Sequence, residues 1–209
     1  IFSAFSCLYL LEKTGALDAS ISLMVQKTKK NPKSATIILV LIMIVLSAWA
    51  STGTMSYEEI VAFIPIFLVL CLALGYDALV ALGVSIIAVG CGFSSATVNP
   101  FSIGVAQSIA ELPLFSGIGY RIFVLVVMTT FTIVYVLVYA NKVKKDPSKS
   151  IVRDIDFSDV EIDEKRMNTE MTKEHKISLA ILFIGILFMA YGLIKLGWYI
   201  NEIAAIFVI

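Results

Sequence analysis

The chain has 209 residues, 59% of them hydrophobic, and a mean hydropathy of +0.93. A soluble domain is about 45–50% apolar, so this composition excludes that class and points to a membrane protein. Formal net charge is zero, which argues against any general affinity for nucleic acid.

Residues 1–34 read as the end of a spanning helix followed by an interfacial helix. Ile1 to Leu10 is apolar, and the chain opens in mid-helix character with neither an initiator Met nor a signal-peptide layout. An internal fragment of a longer membrane protein is therefore expected. Leu17, Ile21, Met24 and Val25 then recur at helical spacing, ahead of Lys27, Lys29, Lys30 and Lys33. That pattern suits an amphipathic helix on the membrane surface and a basic loop after it.

Ala35 to Ala50 and Ile60 to Leu74 are apolar arms around a polar stretch, STGTMSYEE. Each arm offers about 24 Å of helix, short of the roughly 30 Å of a full crossing. Two short crossings and a re-entrant hairpin with its tip at Ser51 to Ser56 both fit. Gly75 suits a helix stop and Asp77 a helix start.

The next apolar run, from Asp77 to Glu111, is interrupted by GFSSATVNP, Gly92 to Pro100. Irregular backbone survives in hydrocarbon only where it lines a cavity or is buried in protein. Gly92 suits the end of a first half-helix. Asn99 suits an N-cap, with Pro100 at the first helical position. Such a break exposes carbonyls at one end, which suits a cation, and N–H groups at the other, which suits an anion. Ser94, Ser95, Thr97 and Asn99 add oxygen-rich ligands, as in transporters that bind substrate and ion near the midplane. A Gly/Ser packing face with a proline kink is the bland alternative.

Ser51, Thr52, Gly53 and Thr54 give the hairpin tip a similar character. Ser56 and Glu59 form a capping-box pattern. Glu58 or Glu59 either caps, or lies at membrane depth for a partner, a proton or an ion. Gln107 and Glu111 share a helix face that could line a path, with Glu111 better suited to the interface. Arg121 opens a span and is expected to snorkel. Pro65 kinks the second arm.

Arg121 to Ala140 is a clean span. Residues 141–176 hold more than half of the chain's charges and read as a solvated loop. Residues 177–209 open a further set of helices, with Trp198 and Tyr199 at an interface. Lys and Arg crowd 26–34 and 141–153 and are absent from 112–120, which places the rich loops in the cytoplasm. Cys7, Cys71 and Cys91 have no metal-like spacing and read as reduced filler. His175 lies among loop charges. No nucleophile–base set, phosphate loop or metal spacing supports an enzyme.

Leu72 to Arg121, with NPFSIGVAQSIA and then LPLFSG, resembles the anaerobic C4-dicarboxylate carrier family, in its YfcC-type branch. LEKTGALD and YANKVKKDPSKS fit the same branch. At the hairpin, Thr52, Glu58 and Glu59 keep register, whereas Ser51, Met55 and Ser56 stand where the branch has Gly, Gly and Met. The resemblance implies an all-α, polytopic fold of the ion transporter superfamily, with inverted repeats that each hold a re-entrant hairpin and a broken helix. Residues 35–140 would be the core of the first repeat and 177–209 the start of the second. It implies a cation site, possible for Na⁺, near Ser51, Thr52, Gly92, Ser94 and Ser95.

The expected function is secondary active transport of a small carboxylate-bearing metabolite across the bacterial inner membrane. A C4-dicarboxylate or an amino acid, as in arginine/ornithine exchange, would fit. Coupling would be to Na⁺ or H⁺, or by exchange, with no other cofactor, and a homodimer is expected. A channel and a non-transporting scaffold are the rival classes.

Overall fold

The computed structural model describes residues 33–53, 55–155 and 169–192, with scattered positions elsewhere (6, 9–11, 13–16, 19, 20, 22, 23, 26, 196, 198 and 205). All regular structure among the described residues is helical. In chain order these are α1 (Lys33–Ala50), α2 (Tyr57–Ala73), α3 (Ala78–Leu82), α4 (Ala88–Ser95), α5 (Val105–Ile109), α6 (Ile118–Lys145) and α7 (Lys173–Tyr191). A π-helical turn, Gly83–Ile87, joins α3 to α4, and a second one, Pro100–Gly104, leads into α5. The apolar positions of the amphipathic segment (Leu17, Ile21, Met24 and Val25), Thr54, Tyr199 and the acidic stretch 156–168 lie outside the described residues.

Local signals set the helix ends. The Ser56 N–H donates to Glu59 Oε2 at 2.8 Å, closing a capping box at the start of α2. Past its end, Gly75 takes φ 79° and the Tyr76 N–H donates to the Cys71 carbonyl at 2.9 Å. Only glycine adopts that left-handed geometry freely, so the chain can reverse there. Asp77 then caps α3, its Oδ1 accepting from the Val80 N–H at 2.9 Å.

Packing is closest where side chains are small. Ser47 of α1 donates to the Ala88 carbonyl of α4 at 2.8 Å. One turn on, a Cβ on Gly92 would sit 2.7 Å from the Ser47 carbonyl carbon. Two helix backbones meet here, the small-residue device of membrane helices. On the other face Gly83 leaves space for Val136 of α6. Leu39, Met43, Met55, Ile60, Leu70, Val80, Val84 and Val89 fill the core between them.

Ala78–Ile109, taken as one interrupted rod, and Ile118–Lys145 are long and apolar enough to cross a bilayer. Phe123, Val126, Phe131, Tyr135 and Val138 of α6 are exposed, an apolar face that suits lipid. The helix runs further than the 121–140 expected from hydropathy. Its last turn carries Lys142, Lys144 and Lys145, which complement the dipole at a helix C-terminus. Lys144 also lies over the Tyr76 ring, 4.4 Å from its centroid. His175 belongs to the first turn of α7 rather than to a loop, with its N–H on Thr172 Oγ1 at 3.2 Å.

Asp77 ties this lysine-rich end together. Its Oδ2 accepts from Tyr139 Oη and from Ser150 Oγ, each at 2.6 Å. Ser150 follows a 3₁₀ turn, Pro147–Lys149, capped by Asp146. Hydrogen bonds from Ser148 and then Lys149 hold the Asp146 carboxyl below the usual carboxylate range. Asp77→Ala removes a cap and both bonds at once. We expect it to destabilise the protein by about 2–3 kcal/mol, read as a lower melting temperature in detergent. Asp77→Asn, which keeps the capping oxygen, should lose less.

Candidate functional site

The hairpin tip and the helix break meet. The first half-helix ends at Ser95, with Ala96 in left-handed backbone at φ 34°. A non-glycine residue held there costs of order 1–3 kcal/mol and persists only where its surroundings enforce it. Here they do. The Thr97 N–H donates to the Ser51 carbonyl at 2.9 Å, and the Ser51 and Thr97 hydroxyls are 2.9 Å apart. Ser51 and Thr97 are both buried, so this part of the tip packs directly on the break.

Asn99 stands at the next start. Its Oδ1 accepts from the N–H groups of Phe101, at 2.9 Å, and Ser102, at 3.3 Å. Pro100 occupies the first helical position. The amide lies against Gly53, where a Cβ would come within 2.5 Å of Asn99 Oδ1. Gly53 has φ 80°, so both its turn and its neighbour require glycine. Asn99 is 0% exposed, yet its Nδ2 has no hydrogen-bond partner among the described residues, and neither does Ser102 Oγ. A buried donor left unmade costs about 1–3 kcal/mol.

The other expected residues divide by place. Ser95 is buried and donates back to the Cys91 carbonyl at 2.8 Å. Thr52 donates to the Trp49 carbonyl at 2.7 Å. Glu59 serves the capping box, while Glu58 is exposed and bonds Ser56 Oγ. The Ser94 side chain is exposed. Gly92 does not end the half-helix. It lies inside α4, where it admits the backbone of α1, and its carbonyl accepts from the Ala96 N–H at 3.1 Å. The packing reading thus holds for Gly92, and the break itself begins four residues later.

Arg121 does not snorkel outward. Its Nε donates to the Thr97 carbonyl at 3.0 Å and its Nη2 to the Phe115 carbonyl at 2.9 Å, with Nη1 on the Ser116 carbonyl. Gln107 reaches the same turn, accepting from the Phe115 N–H at 2.6 Å and donating to the Ser116 carbonyl at 3.0 Å. It secures a loop rather than lining a path. Glu111 is exposed at the end of α5, with φ 54°. Contacts along α6 also fix a level for the break. Asp77 bonds Tyr139 and Thr97 bonds Arg121, a separation of about 27 Å along the helix. Against a hydrocarbon core of about 30 Å, the break lies toward the end of α6 opposite its lysines, not beside its middle.

A model of the DcuC family, described as C4-dicarboxylate anaerobic carrier, matches residues 7–209. The chain belongs to this carrier family. It is a membrane protein of a transporter family, not an enzyme. An uncharacterized protein of Haemophilus influenzae is 33% identical over 99% of this chain and 41% of its own length. YfcC of Escherichia coli strain K12, provisionally described as a basic amino acid antiporter, is 34% identical over 93% of this chain and 38% of its own length. The chain therefore spans about two-fifths of the length of these curated relatives. No solved structure matches it.

Proposed function

We propose that the chain is part of a secondary active transporter that binds a carboxylate at the meeting of hairpin tip and broken helix. The observation that carries this is the buried Asn99 Nδ2, without a hydrogen-bond partner among the described residues, at the N-terminus of the second half-helix. An amide donor and a positive dipole end together suit a carboxylate oxygen. The carbonyl-rich end of the first half-helix, with Ser51, Thr52 and Ser95 nearby, suits a coupling Na⁺; exchange or H⁺ coupling would leave that end to water.

In this reading residues 35–140 form the core of a first repeat and 177–209 open a second. The α1–α2 hairpin is re-entrant, which the burial of its tip supports. The loop 141–176 is cytoplasmic in a bacterial inner membrane, the transporter is a dimer, and the break sits toward the outer face in the conformation described. A C4-dicarboxylate follows from the family's description and a basic amino acid from the relative in Escherichia coli. Both carry the carboxylate that the site requires.

The test is uptake of labelled dicarboxylates and amino acids by the natural full-length protein in proteoliposomes, with and without Na⁺. Saturable, trans-stimulated uptake is expected, lost when Ser95, Thr97 and Asn99 are all changed to Ala. Single-channel currents without trans-stimulation would establish a channel instead, and intact uptake in the triple variant would displace the site.

A further inference from the structure

The Arg121 guanidinium is a fork set on three main-chain carbonyls, Thr97, Phe115 and Ser116. Thr97 in turn has its N–H and hydroxyl engaged by Ser51. One residue of the break is therefore held from both sides, by the hairpin tip and by α6. The turn that shares the fork is itself irregular, with Phe115 at φ 56°, and Gln107 of α5 secures it from the other flank. The result is a continuous polar chain, Ser51–Thr97–Arg121–Phe115/Ser116–Gln107. It runs from the hairpin tip to the second half-helix without passing through Asn99.

We propose that Arg121 is a positioning residue for the candidate site. Its fork fixes the Thr97 peptide, and Thr97 fixes the spacing between the Ser51 tip and the half-helix that Asn99 caps. Guanidinium suits this because its planar donors satisfy several carbonyls at once in a rigid geometry, which an ammonium does not. Unpartnered carbonyls of the break would otherwise lie beside apolar surroundings. The kinetic part of this inference rests on the transport reading; the structural part does not.

The experiment uses the full-length protein in a cysteine-free background. Ser51→Cys with Thr97→Cys is oxidised in membranes, with Arg121 intact, Arg121→Lys or Arg121→Gln. In parallel, uptake kinetics are measured for the same Arg121 variants without the cysteine pair. Cross-linking should fall about tenfold in Arg121→Gln and less in Arg121→Lys, and KM should rise about tenfold in Arg121→Gln with a smaller change in kcat. Arg121→Lys should recover part of the KM. Unchanged cross-linking in either variant overturns the proposal, and so does reduced cross-linking with unchanged KM. If Arg121→Gln does not reach the membrane, Arg121→Lys decides by the same criteria. If the wild-type protein takes up no carboxylate, the transport reading fails, and cross-linking alone decides whether Arg121 holds the break.

Discussion

Gly92→Ala is expected to destabilise the protein more than Gly83→Ala, Gly90→Ala or Gly119→Ala. The added carbon would fall 2.7 Å from the Ser47 Cα and carbonyl carbon, and nearer still to the carbonyl oxygen. Those atoms are backbone, so no rotamer change relieves the clash. α1 must shift as a body, and the Ser47 bond to the Ala88 carbonyl must stretch with it. Overpacking typically costs about 1–3 kcal/mol, and a backbone collision belongs at or above the upper end. The hairpin tip continues directly from α1, so the same shift moves Ser51 away from Thr97. We expect loss of both thermal stability in detergent and uptake. Gly119→Ala is the control: nothing lies within 4 Å of its Cβ, and a helical glycine replaced by alanine usually gains stability. A Gly92→Ala protein as stable as the wild type would mean that α1 and α4 do not meet at this point.

Much of this site was legible because its signals are local. Asn99 and Pro100, Ser56 and Glu59, and Gly75 and Asp77 each announce a helix end through chemistry within a few residues, and each behaves accordingly. Gly92 reads as a terminator but lies inside α4, because a glycine that ends a helix and one that admits a neighbouring helix look alike in sequence. Only the presence of Ser47, forty-five positions away, tells them apart. The role of Arg121 was hidden for the same reason. An arginine at the start of an apolar span reads as an interfacial anchor, and its acceptors are carbonyls, which carry no side-chain signature. Gln107 likewise binds main-chain groups of a turn. Features made by long-range backbone contacts leave little trace in residue type, apart from an arginine or glutamine out of place in an apolar run. The meeting of the two polar stretches followed from a resemblance, since nothing in their spacing requires it.

Asn99→Asp should abolish carboxylate uptake while leaving the fold nearly intact, and that combination makes it the sharpest test of the site. Asp caps a helix about as well as Asn, so the bonds from Phe101 and Ser102 to Oδ1 survive. A carboxylate is also favourable at the positive end of a helix. The change removes the Nδ2 donor, which has no partner among the described residues, and puts negative charge in its place. A carboxylate substrate then meets a like charge at a position that is 0% exposed. Such juxtaposition costs several kcal/mol, which corresponds to a loss of more than about a hundredfold in affinity. Asn99→Ala removes the cap as well as the donor, so it should lose both stability and uptake and cannot separate the two. If Asn99→Asp keeps carboxylate uptake at the wild-type KM, the anion binds elsewhere. If it instead gains affinity for Na⁺ or a cationic solute, this end of the break serves the cation, and the polarity assigned to the two half-helices must be reversed.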